Sequence, residues 1–272
     1  MIKEKSEKDF DFFVNFNQKR RNTLASQNNI QFKKLYQLNY LIYNILEQFK
    51  CALVEQKIKE ADSKVIKKYI GMIKRDLVDS LDLINLMHFY AAKRTYRSVI
   101  ETVLRLAGYS YRMYVYKKRK DNNKYVSTDQ LKRLRSIIDT HKIGRFTKGI
   151  LDEFKDSVVS KNFKILNKYY SDYSNITHTN SLESVDLSTD LNEILTKTSD
   201  EIGKIITDTY FLLANILLII YFSEKLLMID TISMQDFYFM KKLVNPVISE
   251  KQLENVSNNF AKGLNQNKKS ML

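Results

Sequence analysis

Residues that interrupt regular structure are scarce in this sequence of 272 residues. It contains one proline and six glycines. Because proline breaks helices and glycine weakens them, their scarcity predicts long, uninterrupted helices. Strands are disfavoured by the same pattern, despite the many isoleucines, tyrosines and phenylalanines. The sequence therefore predicts an all-α protein, a multi-helix bundle with a central antiparallel helical hairpin.

Cysteine is almost absent, and recognisable cofactor motifs are missing altogether. Cys51 is the only cysteine, which excludes an intramolecular disulfide and a cysteine-rich zinc site. No glycine-rich phosphate loop, metal-ligand cluster or Ser/His/Asp signature occurs. The charged residues 1–13 lack the apolar core of a signal peptide. The apolar run 211–222 is shorter than the roughly twenty residues a membrane span needs. We therefore expect a cytoplasmic protein with no membrane segment, metal or cofactor.

Basic residues outnumber acidic ones, and their excess is concentrated in one region. The formal net charge is +14. Residues 61–120 hold fourteen basic and five acidic side chains, whereas residues 181–272 hold nine basic and twelve acidic. A strongly basic surface favours a polyanionic partner, either nucleic acid or an anionic membrane surface. Any such contact is expected to centre on residues 61–120.

Apolar residues recur at intervals of three and four along most of the chain, the period of an amphipathic helix. The pattern predicts helices over residues 30–60, 65–88, 89–120, 130–142, 162–177 and 194–229. The second and third of these form the predicted hairpin. Gly144 and Gly149 interrupt the pattern, and we expect a junction there. We divide the chain into an N-terminal helical segment (1–62), a helical bundle (63–230) and a C-terminal helix with a flexible tail (231–272).

One face of residues 89–120 carries mostly guanidinium groups. Helical spacing places six positions on that face, here called the arginine stripe: Arg94, Arg97, Glu101, Arg105, Gly108 and Arg112. Arg97 and Glu101 are four residues apart, close enough to pair. The stripe is either a solvated helix face or a functional face for anions. On the second interpretation, the nucleic-acid-binding residues are Arg94, Arg105, Arg112, Lys117, Lys118 and Arg119.

Tyrosines are interleaved with these basic residues. They occupy positions 96, 109, 111, 114, 116 and 125. Aromatic rings among cations are used by proteins that bind single-stranded nucleic acid. The same rings also suit core packing, so both interpretations stand.

Three histidines limit the candidates for acid–base chemistry near neutral pH. His88 is flanked by apolar residues, which indicates a packed or capping role. His178 ends the segment YYSDYSNITH and follows Ser174 by four residues. His141 follows Arg135 by six. Either of these two histidines can supply a catalytic imidazole.

Two segments resemble the HEPN superfamily. They are DSLDLINLMHFYAAKRTYRSVIETVLRLAGY and, some seventy residues later, YYSDYSNITH. The resemblance is to divergent helical branches found in bacterial abortive-infection and toxin systems, with Arg-x3-Glu on one helix and Ser-x3-His on a later one. It covers residues 65–225. It implies a bundle that dimerises and, in active members, cleaves RNA without a metal through an Arg and a His with four to six residues between them.

The sequence departs from that pattern at His178, because no arginine lies five to seven positions before it. Arg135 and His141 satisfy the spacing and form the rival pair. A spatial version remains, in which Arg97 and Glu101 face Ser174 and His178 from a neighbouring helix. The alternative is a structural polar network in which Glu101 binds Arg97, His178 caps a helix end and Ser174 bonds backbone.

The resemblance leads us to expect a metal-independent endoribonuclease of a defence or toxin system, acting through the RNA 2′-hydroxyl. Its partners would be RNA, an antitoxin or sensor protein, and further copies of the chain in a homodimer or higher oligomer. The alternative function is a catalytically inactive helical subunit that binds nucleic acid or a protein partner. On either function we expect the stripe to divide, with Arg97 and Glu101 turned inward towards Ser174 and His178, and Arg105 and Arg112 reaching solvent or phosphate.

Overall fold

A computed structural model describes residue 24 and residues 29–55, 61–118, 128–178 and 197–260. Every regular element in these ranges is a helix, which confirms the all-α prediction. In chain order the helices are α1 (Ile30–Glu55), α2 (Ala61–Asn85), α3 (Phe89–Lys118), α4 (Asp129–Ile138), α5 (Ile143–Glu153), α6 (Ser160–His178), α7 (Ser199–Leu226), α8 (Met234–Val244) and α9 (Glu250–Asn259).

Helices α2 and α3 form the predicted hairpin and pack along their length. The turn between them is made by Met87, whose φ of 61° lies in the left-handed region. The Met87 amide donates to the Ile84 carbonyl at 2.9 Å, and the His88 amide donates to the Leu83 carbonyl at 2.8 Å. These two bonds satisfy the last carbonyls of α2 in a Schellman motif. The chain then turns directly into α3 at His88.

The core is built around α7. Every residue from Leu212 to Leu227 is buried, because α1, α3, α6 and α9 surround this helix. Thr198 and Glu201 form a capping box that begins the helix at Ser199, five residues later than the apolar pattern predicts. A single core cluster extends from Leu24 to Val256, so all three predicted segments contribute to it.

Helix α7 is the one helix in the described ranges that is long and apolar enough to span a membrane. Its length and composition alone meet that test. However, 72% of its most apolar stretch is buried inside the protein. That burial is typical of a core helix.

The predicted junction at Gly144 and Gly149 is wrong, because α5 runs through both glycines. Glycine occurs at position 149 because two helices pack closely there, not because the chain turns. A Cβ at Gly149 would lie 2.5 Å from the Ile137 Cγ2 atom of α4. The predicted helix 130–142 likewise ends early, at Ile138, and residues 139–142 form the turn into α5. Glycine at 149 thus lets two short helices approach each other.

Candidate active site at the α3–α6 interface

Arg97 joins α3 to α6 through two hydrogen bonds. Its Nε donates to Ser174 Oγ at 2.8 Å, and its Nη2 donates to the Tyr170 hydroxyl at 2.8 Å. The guanidinium carbon also lies 4.9 Å from the centroid of the Tyr170 ring. We call Arg97, Tyr170 and Ser174 the Arg97 cluster. It realises the predicted juxtaposition of Arg97 with Ser174.

Ser174 is held in place by its own helix. Its hydroxyl donates to the Tyr170 carbonyl one turn earlier, at 2.7 Å. The Ser174 hydroxyl proton is therefore already donated, and the lone pairs of the oxygen can accept from Arg97. This backbone bond was part of the alternative, structural interpretation of Ser174. Its effect here is to fix the acceptor that orients the guanidinium.

Tyr170 contributes a neutral acceptor to the cluster. The residue is buried, and burial raises the pKa of its hydroxyl although the nearby Arg97 charge opposes the shift. The phenol therefore keeps its proton near neutral pH. Arg97 is consequently held by two uncharged oxygens, so its positive charge is not neutralised inside the cluster.

Part of the Arg97 guanidinium is left for another acceptor. A guanidinium has five N–H donors. Only two of them are used by acceptors within the described part of the chain. Arg97 is also only half-buried. The geometry thus supplies an oriented cation with unused donors, which is the arrangement that binds a phosphate through two oxygens.

His178 is the last residue of α6, and its side chain lies outside the described part of the structure. Positions 170, 174 and 178 are each four residues apart, a spacing that aligns them along one helix face. Position 178 is thus one turn beyond the serine that binds Arg97. Pairing of His178 with Arg97 stays a prediction.

The prediction that Glu101 pairs with Arg97 is wrong. Glu101 Oε1 instead accepts from Arg105, at 3.2 Å from Nε and 3.0 Å from Nη2. Both arginines are four residues from Glu101, one on each side. Arg97 is drawn away by Tyr170 and Ser174 on α6, so the carboxylate pairs one turn further along. Glu101 does not orient the Arg97 guanidinium.

The expectation that Arg105 reaches solvent or phosphate is also wrong. Its side chain is 13% exposed. It donates to the Ile138 carbonyl and, at 3.2 Å, to the Thr140 carbonyl. Its guanidinium carbon lies 4.4 Å from the centroid of the Phe146 ring. Arg105 satisfies the carbonyl end of α4, where a cation is also favoured by the helix dipole.

Arg112 and Gly108 of the arginine stripe also face α4. Arg112 Nε donates to the Leu131 carbonyl at 3.2 Å, so Arg112 also contacts α4. A Cβ at Gly108 would lie 2.9 Å from the Ile138 side chain, which shows how closely α4 approaches α3. Arg94 alone of the four arginines is exposed. The stripe is therefore mainly an internal seam, covered by α4, α5 and α6.

The remaining predicted phosphate contacts fall near the end of α3. Lys117 Nζ donates to the Leu227 carbonyl at 3.5 Å, which ties it to the core helix end. The side chain of Lys118 and all of Arg119 lie outside the described residues. Their roles stay predictions.

The rival pair occupies an exposed turn. Arg135 Nε donates to Asp139 at 3.2 Å rather than to His141. Arg135 and His141 are both exposed, on either side of the end of α4. The Arg135 charge is neutralised by a carboxylate, unlike that of Arg97. The rival pair therefore has the weaker geometry for holding a phosphate.

The tyrosines interleaved with the arginine stripe belong to the core. Tyr96, Tyr109, Tyr111 and Tyr114 are all buried. Burial raises the pKa of Tyr96 far above its usual value. Tyr116 is half-buried, and Tyr125 lies outside the described residues. The core-packing interpretation is correct for the buried four, so they do not form a base-stacking surface.

A different row of tyrosines, on α1, was not predicted from the sequence. Tyr36, Tyr40 and Tyr43 are exposed. The helical pattern of the sequence indicates their exposure, because these positions fall opposite the apolar positions Leu38 and Ile42 on the same helix. Basic residues concentrate further along the chain, so the distribution of charge does not point to this row.

No protein-family model matches this chain, and no curated protein or solved structure matches it significantly. In the described ranges, no three His, Cys, Asp or Glu side chains are grouped as a metal site. The function is therefore inferred from the residues and their geometry.

Proposed function

We propose that this protein is a metal-independent, HEPN-like endoribonuclease that acts as an effector in a bacterial defence or toxin system. The observation that carries the proposal is the Arg97 cluster. A guanidinium is oriented across a helix interface by two neutral oxygens, and it retains unused donors one turn from the position of a histidine. RNA supplies the nucleophile, so a base and an oriented cation are enough for the reaction class.

The proposed reaction is attack of an RNA 2′-oxygen on the adjacent phosphorus. His178 accepts the 2′ proton, the P–O5′ bond breaks, and the 5′-oxygen leaves with a proton from solvent. The product strand ends in a 2′,3′-cyclic phosphate. Arg97 binds the non-bridging oxygens and stabilises the charge that develops on them. Ser174 and Tyr170 are positioning residues, since they hold Arg97 rather than contact the RNA.

The proposed partners follow from the same function. RNA is the substrate, and exposed Arg94 is the stripe residue best placed to meet its backbone. An antitoxin or sensor protein would control the activity, and a homodimer would match the family resemblance. The proposed location is the cytoplasm.

A second function is favoured by the other half of the arginine stripe. Arg105 and Arg112 bind the carbonyls of α4, and Glu101 binds Arg105. Charged groups that complete the fold in this way need no substrate to explain them. On this view the protein is a catalytically inactive helical subunit that binds nucleic acid or a protein partner.

The test is cleavage of end-labelled single-stranded RNA by purified protein in the presence of EDTA. We expect Arg97→Lys and His178→Ala each to lower the cleavage rate by about 100-fold or more. Lysine keeps the charge at position 97 but cannot donate to two oxygens in a fork. Circular dichroism and urea unfolding show whether each variant is folded.

Two controls sharpen the result. Arg133→Lys alters an arginine of α4 whose side chain is 66% exposed and bound to Glu153, and should leave cleavage unchanged. His141→Ala tests the rival pair. If Arg97→Lys and His178→Ala cleave as fast as wild type, the proposed site is wrong. RNA binding without any cleavage would instead support the inactive subunit.

A further inference from the structure

Helix α1 carries a row of tyrosines on its outer face. Tyr36, Tyr40 and Tyr43 are 51%, 57% and 36% exposed. Between them, Leu38 and Ile42 are fully buried on the opposite face. Three large rings in one row exceed the scattered apolar residues that an ordinary surface shows. We call them the α1 tyrosine row.

The first two rings of the row lie nearly parallel. The centroids of Tyr36 and Tyr40 are 6.4 Å apart, and their planes differ by 10°. Bases stacked on aromatic side chains are the main sequence-independent contact of single-stranded nucleic acid.

Cations flank the row at both ends. Lys33 is exposed and precedes Tyr36 by three residues, which places it on the same stripe of α1. Lys74 of α2 places its Nζ 4.1 Å from the centroid of the Tyr43 ring. Glu47 binds Lys74, so that ammonium is partly neutralised. The Lys74 side chain is only 14% exposed, so Lys33 is the one of these two lysines that is open to an RNA backbone.

The row lies at the same height in the bundle as the Arg97 cluster. Asn39 Nδ2 of α1 donates to the Leu77 carbonyl of α2 at 3.1 Å. Ser98 Oγ of α3 donates to Asp76 Oδ2 of α2 at 2.9 Å. These bonds place Asn39 and Ser98, the neighbours of Tyr40 and Arg97, opposite adjacent residues of α2. The row and the cluster therefore lie at a similar height along the bundle.

We infer that the α1 tyrosine row is a docking surface for single-stranded RNA. This inference rests on the proposed function, because it takes RNA as the substrate. Tyr36, Tyr40 and Tyr43 offer exposed rings to successive bases, and Lys33 contacts the backbone. The surface binds without base-specific hydrogen bonds. It therefore selects single-stranded over double-stranded RNA and does not distinguish one sequence from another.

The test is the affinity of purified full-length protein for a fluorescent 12-nucleotide single-stranded RNA, read by anisotropy. Tyr40→Ala should weaken binding by about 5- to 150-fold, the loss expected for one stacked base. Tyr40→Phe keeps the ring and should bind within about twofold of wild type. Tyr238→Ala is the matched control, since Tyr238 is 62% exposed but lies on α8. Double-stranded RNA of the same sequence should bind equally to wild type and Tyr40→Ala.

Measuring both binding and cleavage separates the two proposals. If Tyr40→Ala loses affinity and wild type does not cleave, the docking surface stands and the nuclease fails. If Tyr40→Ala binds the strand as wild type does, the docking surface is wrong whether or not the protein cleaves. If Tyr40→Ala leaves affinity unchanged but lowers the oligomer mass by light scattering, the row joins copies of the chain, and the inference is also overturned.

Discussion

Two arginines of one helix face are expected to respond in opposite ways to the same substitution. Arg94 and Arg105 belong to the same arginine stripe of α3, and both were predicted from the sequence to bind nucleic acid. The structure exposes Arg94 and places Arg105 against the end of α4. Arg105→Ala should therefore destabilise the fold, whereas Arg94→Ala should leave stability nearly unchanged.

The size of the Arg105 effect follows from its contacts. The side chain binds the Glu101 carboxylate and donates to two backbone carbonyls, Ile138 and Thr140. Each net hydrogen bond to a charged group contributes about 1.5–3 kcal/mol, but Glu101 is 26% exposed and can regain water. We therefore expect a loss of about 3 kcal/mol, at the lower end of the range for breaking a buried pair. Arg94→Ala should change stability by less than about 0.5 kcal/mol.

The assay is urea unfolding of both variants and wild type, followed by circular dichroism at 222 nm. RNA affinity should fall for Arg94→Ala and stay unchanged for Arg105→Ala at urea concentrations where both are folded. Equal stability losses for the two variants, or a loss of RNA affinity confined to Arg105→Ala, would refute the assignment of Arg105 to the internal seam.

Two further predictions concern stability. Gly71→Ala in α2 should raise the free energy of unfolding by about 1 kcal/mol, since nothing lies within 4 Å of the added Cβ and alanine favours helix. Gly149→Ala should lower the free energy of unfolding by about 1–3 kcal/mol, because its Cβ would collide with Ile137. Urea unfolding measures both changes. Burial raises the pKa of Glu224 although Thr231 donates to it, so wild-type stability should fall as pH rises above 4.5, through the folded pKa. Glu224→Gln should flatten that decline above pH 4.5, and an unchanged decline would contradict the assignment.

Much of the fold could be predicted from the sequence, because helical periodicity and the scarcity of glycine and proline are local signals. The hairpin, α6 and the core helix α7 follow from them. The errors at α4 and α5 have a different origin. Gly149 was interpreted from its backbone preference, whereas its role depends on Ile137 of another helix, which no local pattern reveals.

The candidate site was predictable only in part. The row of arginines and the spacing of four between Ser174 and His178 point to α3 and α6, and Arg97 does meet Ser174. The choice of partner for Glu101 could not be predicted, since Arg97 and Arg105 are equally distant from it along the helix. The choice depends on contacts with other helices: Arg97 binds Tyr170 of α6, whereas Arg105 binds the Ile138 carbonyl of α4 and lies beside Glu101.

Arg97 is proposed to hold a phosphate of RNA for cleavage without a metal. The most direct measurement is the rate at which wild type and Arg97→Lys cleave single-stranded RNA in EDTA, with the product ends identified by mass spectrometry. We predict a 2′,3′-cyclic phosphate end for wild type and a rate about 100-fold or more lower for the folded variant. Equal rates, or a wild type that releases a 3′-hydroxyl end, would contradict the claim.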